Sequence, residues 1–368
     1  MKFEFNMPVN LKFGTGVIRK NSEDFKLGKK ALLVTGKSSA HLSGALDDIL
    51  YVLDEQNIGY EIFDRVEINP SLQNVADGAE LCRETGADFI IAIGGGSPMD
   101  AAKGIAALAA NDMEPIELLN NKFVNPFLPI IAVPTTSGTG SEVTPYSVLT
   151  IPSMKTKRSF TSKWSFPVFA FADPEYTKSL PLSITIDTAF DAFSHLLESY
   201  CSRRSTPFND VIALEGIAAF EKCMDNIESG NITDETRKRL MYASCLGGMA
   251  ITHTGTTLMH AMGYSLTYFK NYSHGRANAL LIGEYLKLVR KEIPEKVATV
   301  LSVLGLNDYD EADNYFALGM GEYPVLTDDE CKQFASLAAT QGSVRQTRAD
   351  ISEKDIYDLY KQKFGGGQ

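Results

Sequence analysis

The sequence is short of several things, and each shortage excludes a class of protein. Five cysteines, Cys82, Cys201, Cys223, Cys245 and Cys331, are scattered through 368 residues without a Cys-x-x-Cys pair. An odd, dispersed set makes neither a disulfide framework nor a thiolate zinc site, and it suits a reducing cytoplasm. No long apolar run occurs; stretches such as Phe89-Ile-Ile-Ala-Ile93 are too short to span a bilayer. The N-terminus, Met1-Lys-Phe-Glu-Phe-Asn6, has an early acid and no apolar core region, so it does not read as a signal peptide. Lys and Arg (35) are outnumbered by Asp and Glu (46), giving a formal net charge of -11. With no basic patch, neither nucleic acid nor an anionic membrane is an expected partner. Repeats at a solenoid period and low-complexity segments are absent. Histidine is scarce too, at five residues, which makes the placing of those five informative.

What is present is ordinary globular material. Apolar residues make up 44% and charged residues 22%, enough for a sizeable core, and the length suits two domains. Along residues 3–181 strand and helix patterns alternate. Lys30–Thr35, Tyr60–Phe63, Asp88–Gly94 and Leu128–Pro134 read as strands; Leu42–Gln56, Ser71–Thr85 and Pro98–Ala110 read as helices. That alternation implies a parallel sheet covered by helices, with a ligand beyond the carboxyl ends of the strands. Residues 3–13 read as edge strands or a hairpin. Val143–Ile151 and Ser159–Ala172 read as irregular strands closing the sheet. Beyond Ser183 strand signals nearly vanish. Thr185–Ser202, Asn209–Glu228, Asp234–Thr252, Thr256–Tyr268 and Arg276–Arg290 read as helices, and Thr327 and Ser352 open two more. The expected domains are therefore 1–182, α/β, and 183–368, all-helical, with the active site expected in the cleft between them.

Glycine and hydroxyl residues gather where the strands end. Gly94-Gly-Gly-Ser-Pro-Met-Asp100 follows a strand and opens a helix, so Gly95 and Gly96 allow close backbone approach to an anion at the helix N-terminus. Plain capping also fits: Ser97 suits an N-cap, Pro98 the first helical position, and Asp100 a capping box. Thr135-Thr136-Ser-Gly-Thr139-Gly-Ser141 is a second such loop, suited to a phosphate or a nicotinamide, or to a polar turn. After the first strand come Gly36, Lys37, Ser38 and Ser39. An acid there would hold the ribose 2′-hydroxyl of NAD(H). A glycine, a cation and two hydroxyls instead favour the 2′-phosphate of NADP(H); the bland alternative is an exposed turn.

Asp191 and His195 lie four residues apart, on one face of the helix over Asp187–Tyr200, together with Asp187 and Glu198. That is also how an ordinary solvated face looks. Two further histidines, His260 and His274, complete a possible four-ligand set for a divalent metal. His253 is expected to pack near His260, on nearly the same helix face, and His41 to lie at the surface.

Taken together, the Gly94–Asp100 motif with Lys103, Thr135–Glu142, Asp191-Ala-Phe-Ser-His195, His260-Ala-Met-Gly263 and His274-Gly-Arg-Ala-Asn278 resemble the iron-dependent, group III alcohol dehydrogenases over almost the whole chain. The resemblance implies a dehydroquinate synthase-like architecture: an N-terminal dinucleotide-binding domain and a helical metal-binding domain. It implies metal ligation by Asp191, His195, His260 and His274, with Fe(II) and Zn(II) both suited. Cofactor contacts are implied at Gly36, Asn69, Gly95, Gly96, Ser97, Thr135, Thr136, Thr139, Thr144 and Lys157. A homodimer joined partly through the N-terminal strands is implied as well. Many members carry a histidine four residues after the third ligand. Tyr264 stands there in this chain, a stand-in proton relay.

The implied reaction is hydride transfer between a small primary alcohol or aldehyde and NADP(H), in preference to NAD(H). Phe193, Leu197, Met259, Met262, Tyr264 and Phe269 near the ligands suggest an apolar substrate. Two alternatives are a metal- and NAD-dependent carbocycle synthase of the dehydroquinate synthase type and a non-enzymatic nucleotide-binding relative.

Overall fold

The structure is a computed structural model that describes residues 3–154, 156–317 and 323–366. The chain forms two compact units. One is Asn6–Pro181; the other runs from Leu182 and includes the N-terminal residues up to Phe5.

The first unit is built on a six-stranded sheet. Its strands are β1 (Asn10–Phe13), β2 (Lys30–Thr35), β3 (Gly59–Phe63), β4 (Phe89–Gly94), β5 (Ile130–Pro134) and β8 (Phe169–Ala172), in the order β1-β8-β5-β4-β2-β3. Every pairing in this sheet is parallel. Strands β4 and β5 are buried along their whole length and β2 at all but its first residue. That is why they read as continuous apolar runs rather than alternating ones. The connecting helices are α1 (Ala45–Glu55), α2 (Leu72–Thr85) and α3 (Gly96–Ala110). Ile49, Val52 and Leu53 of α1 pack with Leu33, Ile91, Ile131 and Phe171 of the sheet in one core. The strand order turns back between β2 and β4, which sets the loops after Thr35 and Gly94 beside each other at the carboxyl edge.

Two expectations need correction here. Of the two readings of residues 3–13, the edge strand holds and the hairpin fails: β1 is an outer strand of its sheet, parallel to β8, while Phe3 and Phe5 pack with the helical unit against Phe208 and His253. Nor do residues 143–161 close the sheet. β6 (Tyr146–Ile151) and β7 (Thr156–Thr161) pair antiparallel as a separate ribbon, and only β8 joins the main sheet.

The second unit is helical. Its members include α4 (Leu182–Cys201), α5 (Pro207–Glu221), α6 (Asp234–Thr254), α7 (Leu258–Lys270), α8 (His274–Ala279), α9 (Ile282–Val289), α10 (Pro294–Val303), α11 (Tyr309–Ala317), α12 (Asp328–Ala339) and α13 (Glu353–Phe364). The stretch expected as one helix over Asn209–Glu228 is α5 followed by a short helix, Met224–Ser229. Arg276–Arg290 likewise divides into α8 and α9, and α8 begins at His274 itself. Thr327 and Ser352 do close capping boxes at α12 and α13. All five cysteines are free and buried. No helix among the described residues is long and apolar enough to cross a membrane.

Candidate metal centre and cofactor loops

Helix α4 supplies the start of the metal centre. Its face bearing Asp191, His195 and Glu198 is polar, yet all three side chains are buried. Polarity at helical spacing therefore marked an interior site and not a solvated surface. Ionisable groups are buried this way only when they find partners or a bound cation. Helix α7 brings His260, also buried, and α8 brings His274 at its first residue.

One ligand atom from each of Asp191, His195 and His260 falls within 4.8 Å of the others. The His195 and His260 Nε2 atoms are 3.0 Å apart. Asp191 Oδ1 is 3.8 Å from Nε2 of both His260 and His274. Ligands at about 2.0–2.2 Å from a tetrahedral ion stand roughly 3.3–3.6 Å from one another. The observed separations bracket that value, and three imidazole nitrogens with one carboxylate oxygen are a donor set for Fe(II) or Zn(II). The residues present therefore fit a divalent ion.

Neighbouring groups orient the donors. His260 Nδ1 meets Glu198 Oε2 at hydrogen-bond distance, and the Asn278 amide lies 3.4 Å from Asp191 Oδ1. Burial raises the Glu198 carboxyl, but the charge and hydrogen bond of His260 outweigh it and hold Glu198 below the usual range. Gly275 permits the approach of α8 to α4: a Cβ there would sit 1.7 Å from the Asp187 carbonyl oxygen. Tyr264 stacks on His274, with ring centroids 5.5 Å apart.

His253 belongs to a different helix from His260. Helix α6 ends at Thr254, Gly255 follows with φ 70°, and the His253 ring stacks on Phe5. His41 is exposed, as expected. The apolar residues expected around the ligands are packed in the helical core. Phe193 packs on Phe220 and Phe316, Phe269 packs on Phe334, and Leu197, Met259 and Met262 are core. They hold the helices together and give no measure of the substrate.

In the α/β unit the candidate cofactor residues fall into three groups. Gly95, Gly96, Thr136 and Thr139 meet: a Cβ on Gly95 would lie 3.0 Å from Thr136 Oγ1, and one on Gly96 would lie 2.7 Å from Thr139 Cγ2. The loop after β5 thus lies against the N-terminus of α3. Thr135 is buried there and donates its N–H to the Gly94 carbonyl, while its hydroxyl has no protein partner. Ser97, Asn69 and Lys157 form the second group. Ser97 Oγ accepts the Asn69 N–H at 3.1 Å, and Lys157 Nζ donates to Asn69 Oδ1 at 2.8 Å. Asn69 holds the left-handed conformation, φ 59°. The third group is the turn after β2, where Gly36 and Ser39 are half-buried and Lys37 and Ser38 are exposed.

Helix α3 starts at Gly96, so Ser97 is not its cap and Asp100 closes no capping box. Asp100 is half-buried and accepts from Ser141 Oγ. Lys103, which the motif included without a role, donates from the interior to the Ser141 carbonyl and hydroxyl and to the Tyr146 carbonyl, with Thr144 Oγ1 at 3.5 Å. Burial pushes the Asp100 carboxyl up to about 6, against the pull of Lys103, and lowers the Lys103 ammonium to about 8. Both side chains meet at Ser141 and so tie α3 to the Thr/Ser loop, with Thr144 beside Lys103.

Sequence reasoning gave no role to Glu198, Asn278 or Thr257. Glu198 carried a usable signal, lying seven residues after Asp191 and three after His195 on one helix face. Asn278 and Thr257 carried none, because their contacts are with residues distant in sequence.

The chain is similar to known proteins over nearly its whole length. A family model described as iron-containing alcohol dehydrogenase matches residues 8–174, and one for the C-terminal region of the Fe-containing alcohol dehydrogenase family matches residues 185–364. The 1,3-propanediol dehydrogenase of Klebsiella pneumoniae is 32% identical, over 98% of this chain and 99% of that one. An NADPH-dependent butanol dehydrogenase of Clostridium saccharobutylicum is 32% identical, over 82% of this chain and 78% of that one. A crystal structure of an iron-containing alcohol dehydrogenase from Thermotoga maritima matches with a TM-score of 0.92 and 40% identity, over 99% of each chain. By its sequence over both units and by its fold, this chain belongs to the iron-containing alcohol dehydrogenase family.

Proposed function

We propose that this chain catalyses reversible hydride transfer between a small primary alcohol, or its aldehyde, and NADP(H), using a divalent metal. The observation that carries the reading is the convergence of Asp191, His195 and His260 at ligand spacing inside the helical core, with half-buried His274 3.8 Å from Asp191. Asp191 contributes the one negative charge, and Glu198 and Asn278 hold the donors in place. Bound there, a divalent ion supplies Lewis acidity toward the substrate oxygen. Tyr264, stacked on His274, is the candidate to pass on the alcohol proton. Hydride exchange itself is the nicotinamide's chemistry.

The NADP(H) preference rests on Gly36. A Cβ built at that position meets only the Val66 carbonyl, at 3.8 Å, so the site has room that this chain leaves without a carboxylate. Lys37 beside it is exposed and cationic. The small primary alcohol is supported by relatives named for 1,3-propanediol and for butanol. A homodimer belongs to the same reading: β1 stands at the edge of its sheet among the described residues, and sedimentation should give twice the chain mass.

The cofactor reading is tested by kcat/KM for NADPH and NADH with butanal, after anaerobic loading with Fe(II) or Zn(II). NADPH should be preferred; a preference for NADH would overturn it.

A further inference from the structure

Glu198 lies at the closed end of a hydrogen-bond system that reaches the metal centre from inside the helical core. It is fully buried. Its Oε2 meets His260 Nδ1, and its Oε1 accepts the His260 backbone N–H at 3.2 Å and the Thr257 hydroxyl at 2.7 Å. Tyr285 Oη lies 3.0 Å from Thr257 Oγ1. Thr257 has one hydroxyl proton and Glu198 takes it, so Tyr285 donates to Thr257. Every proton in the system then points toward Glu198, which is what an ionised carboxylate requires. An ionised carboxylate only accepts, so His260 Nδ1 must carry the ring proton. A histidine that ligates a metal must be neutral, so the ring has no second proton, and His260 Nε2 presents a lone pair beside His195 Nε2 and the Asn278 amide.

We propose that Glu198 is a positioning residue that fixes the His260 tautomer and so makes His260 Nε2 a metal ligand. The inference rests on the metal reading above and adds to it the group that selects which nitrogen binds. Helix geometry gives it economy. One face of α4 carries Asp191, His195 and, one turn further, the carboxylate that sets a ligand on another helix.

Glutamine cannot replace this carboxylate. Two N–H groups of His260, at Nδ1 and on the backbone, approach different carboxylate oxygens. A glutamine has one oxygen and one NH2, so either orientation sets a donor against a donor. Relief comes by losing a bond or by moving the ring proton to Nε2, where it blocks the metal. Removing such a partner typically weakens metal binding about 10- to 100-fold.

The test uses metal-stripped full-length protein, wild type and Glu198→Gln, titrated with Zn(II) against a competing chelator, with circular dichroism of both metal-free forms. One zinc per chain in the wild type, and binding about 10- to 100-fold weaker in Glu198→Gln at unchanged helicity, is the expected result. Equal affinity in the two would overturn the proposal while leaving the metal reading intact. Wild-type protein that takes up no zinc would overturn the metal reading, and this inference with it. Should Glu198→Gln not fold, nitrogen-15 histidine spectra of the zinc-loaded wild type decide. A proton on His260 Nδ1 is expected, whereas a proton on Nε2 with Nδ1 toward the metal would contradict the assignment.

Discussion

The two units hold their chemistry in different materials. In the α/β unit the candidate cofactor site is largely backbone: glycines and hydroxyls at strand ends, with the N-terminus of α3 behind Gly95 and Gly96. In the helical unit the candidate metal site is entirely side chain, four donors on three helices, with Glu198 and Asn278 beneath them. A backbone site is set by where the chain turns, so its signature is local and shows as a motif. A side-chain site is set by packing, so its members are scattered and each looks ordinary alone. The first kind should tolerate side-chain changes that keep the turn. The second should fail at a single atom.

That contrast can be broken or sharpened by substitution. The largest effect is expected at the metal donors: His195→Ala should abolish metal-dependent turnover while preserving the helical fold, read by activity, zinc stoichiometry and circular dichroism. His260→Ala is a less clean probe, because it also strands the buried Glu198 carboxylate. Next is Lys103→Met, which removes a buried ammonium that holds Ser141 and the Tyr146 carbonyl. It leaves these acceptors bare and should cost about 1–3 kcal/mol for each in urea unfolding. A loss under 1 kcal/mol would mean that the loops hold themselves. Gly275→Ala should follow at roughly 1–3 kcal/mol, since the new methyl meets the Asp187 carbonyl and α8 must shift. Zinc affinity should fall with it, because His274 moves as well. The smallest expected effect is at Gly36→Asp, where space is open. The fold should be unchanged, and the NADPH/NADH ratio of kcat/KM should drop by about tenfold or more as a carboxylate meets the 2′-phosphate.

Much of this was legible in the sequence, for reasons that differ between the units. The parallel sheet showed in the buried runs of β2, β4 and β5, and the cofactor loops in glycines that follow them directly. The metal donors showed only because histidine is rare and the resemblance joined His260 and His274 to the Asp191/His195 pair. Periodicity alone put that pair on a solvated face. It could not tell a polar surface from a polar interior, since both present the same spacing along one helix. The antiparallel ribbon was misread because strand propensity does not say which sheet a strand joins. Phe193, Leu197, Met259, Met262 and Phe269 suggested an apolar substrate because they stand near the ligands in sequence, and such nearness does not say which way a side chain faces. Their rings and side chains point into the helical core.

The central claim is that Asp191, His195, His260 and His274 make this chain a metal-dependent alcohol dehydrogenase. The most direct test is NADPH-driven butanal reduction by chelator-stripped protein, before and after titration with Fe(II) or Zn(II) under anaerobic conditions. Turnover should vanish on stripping and return in full at one equivalent of metal per chain. Undiminished turnover by the metal-free protein would contradict the claim.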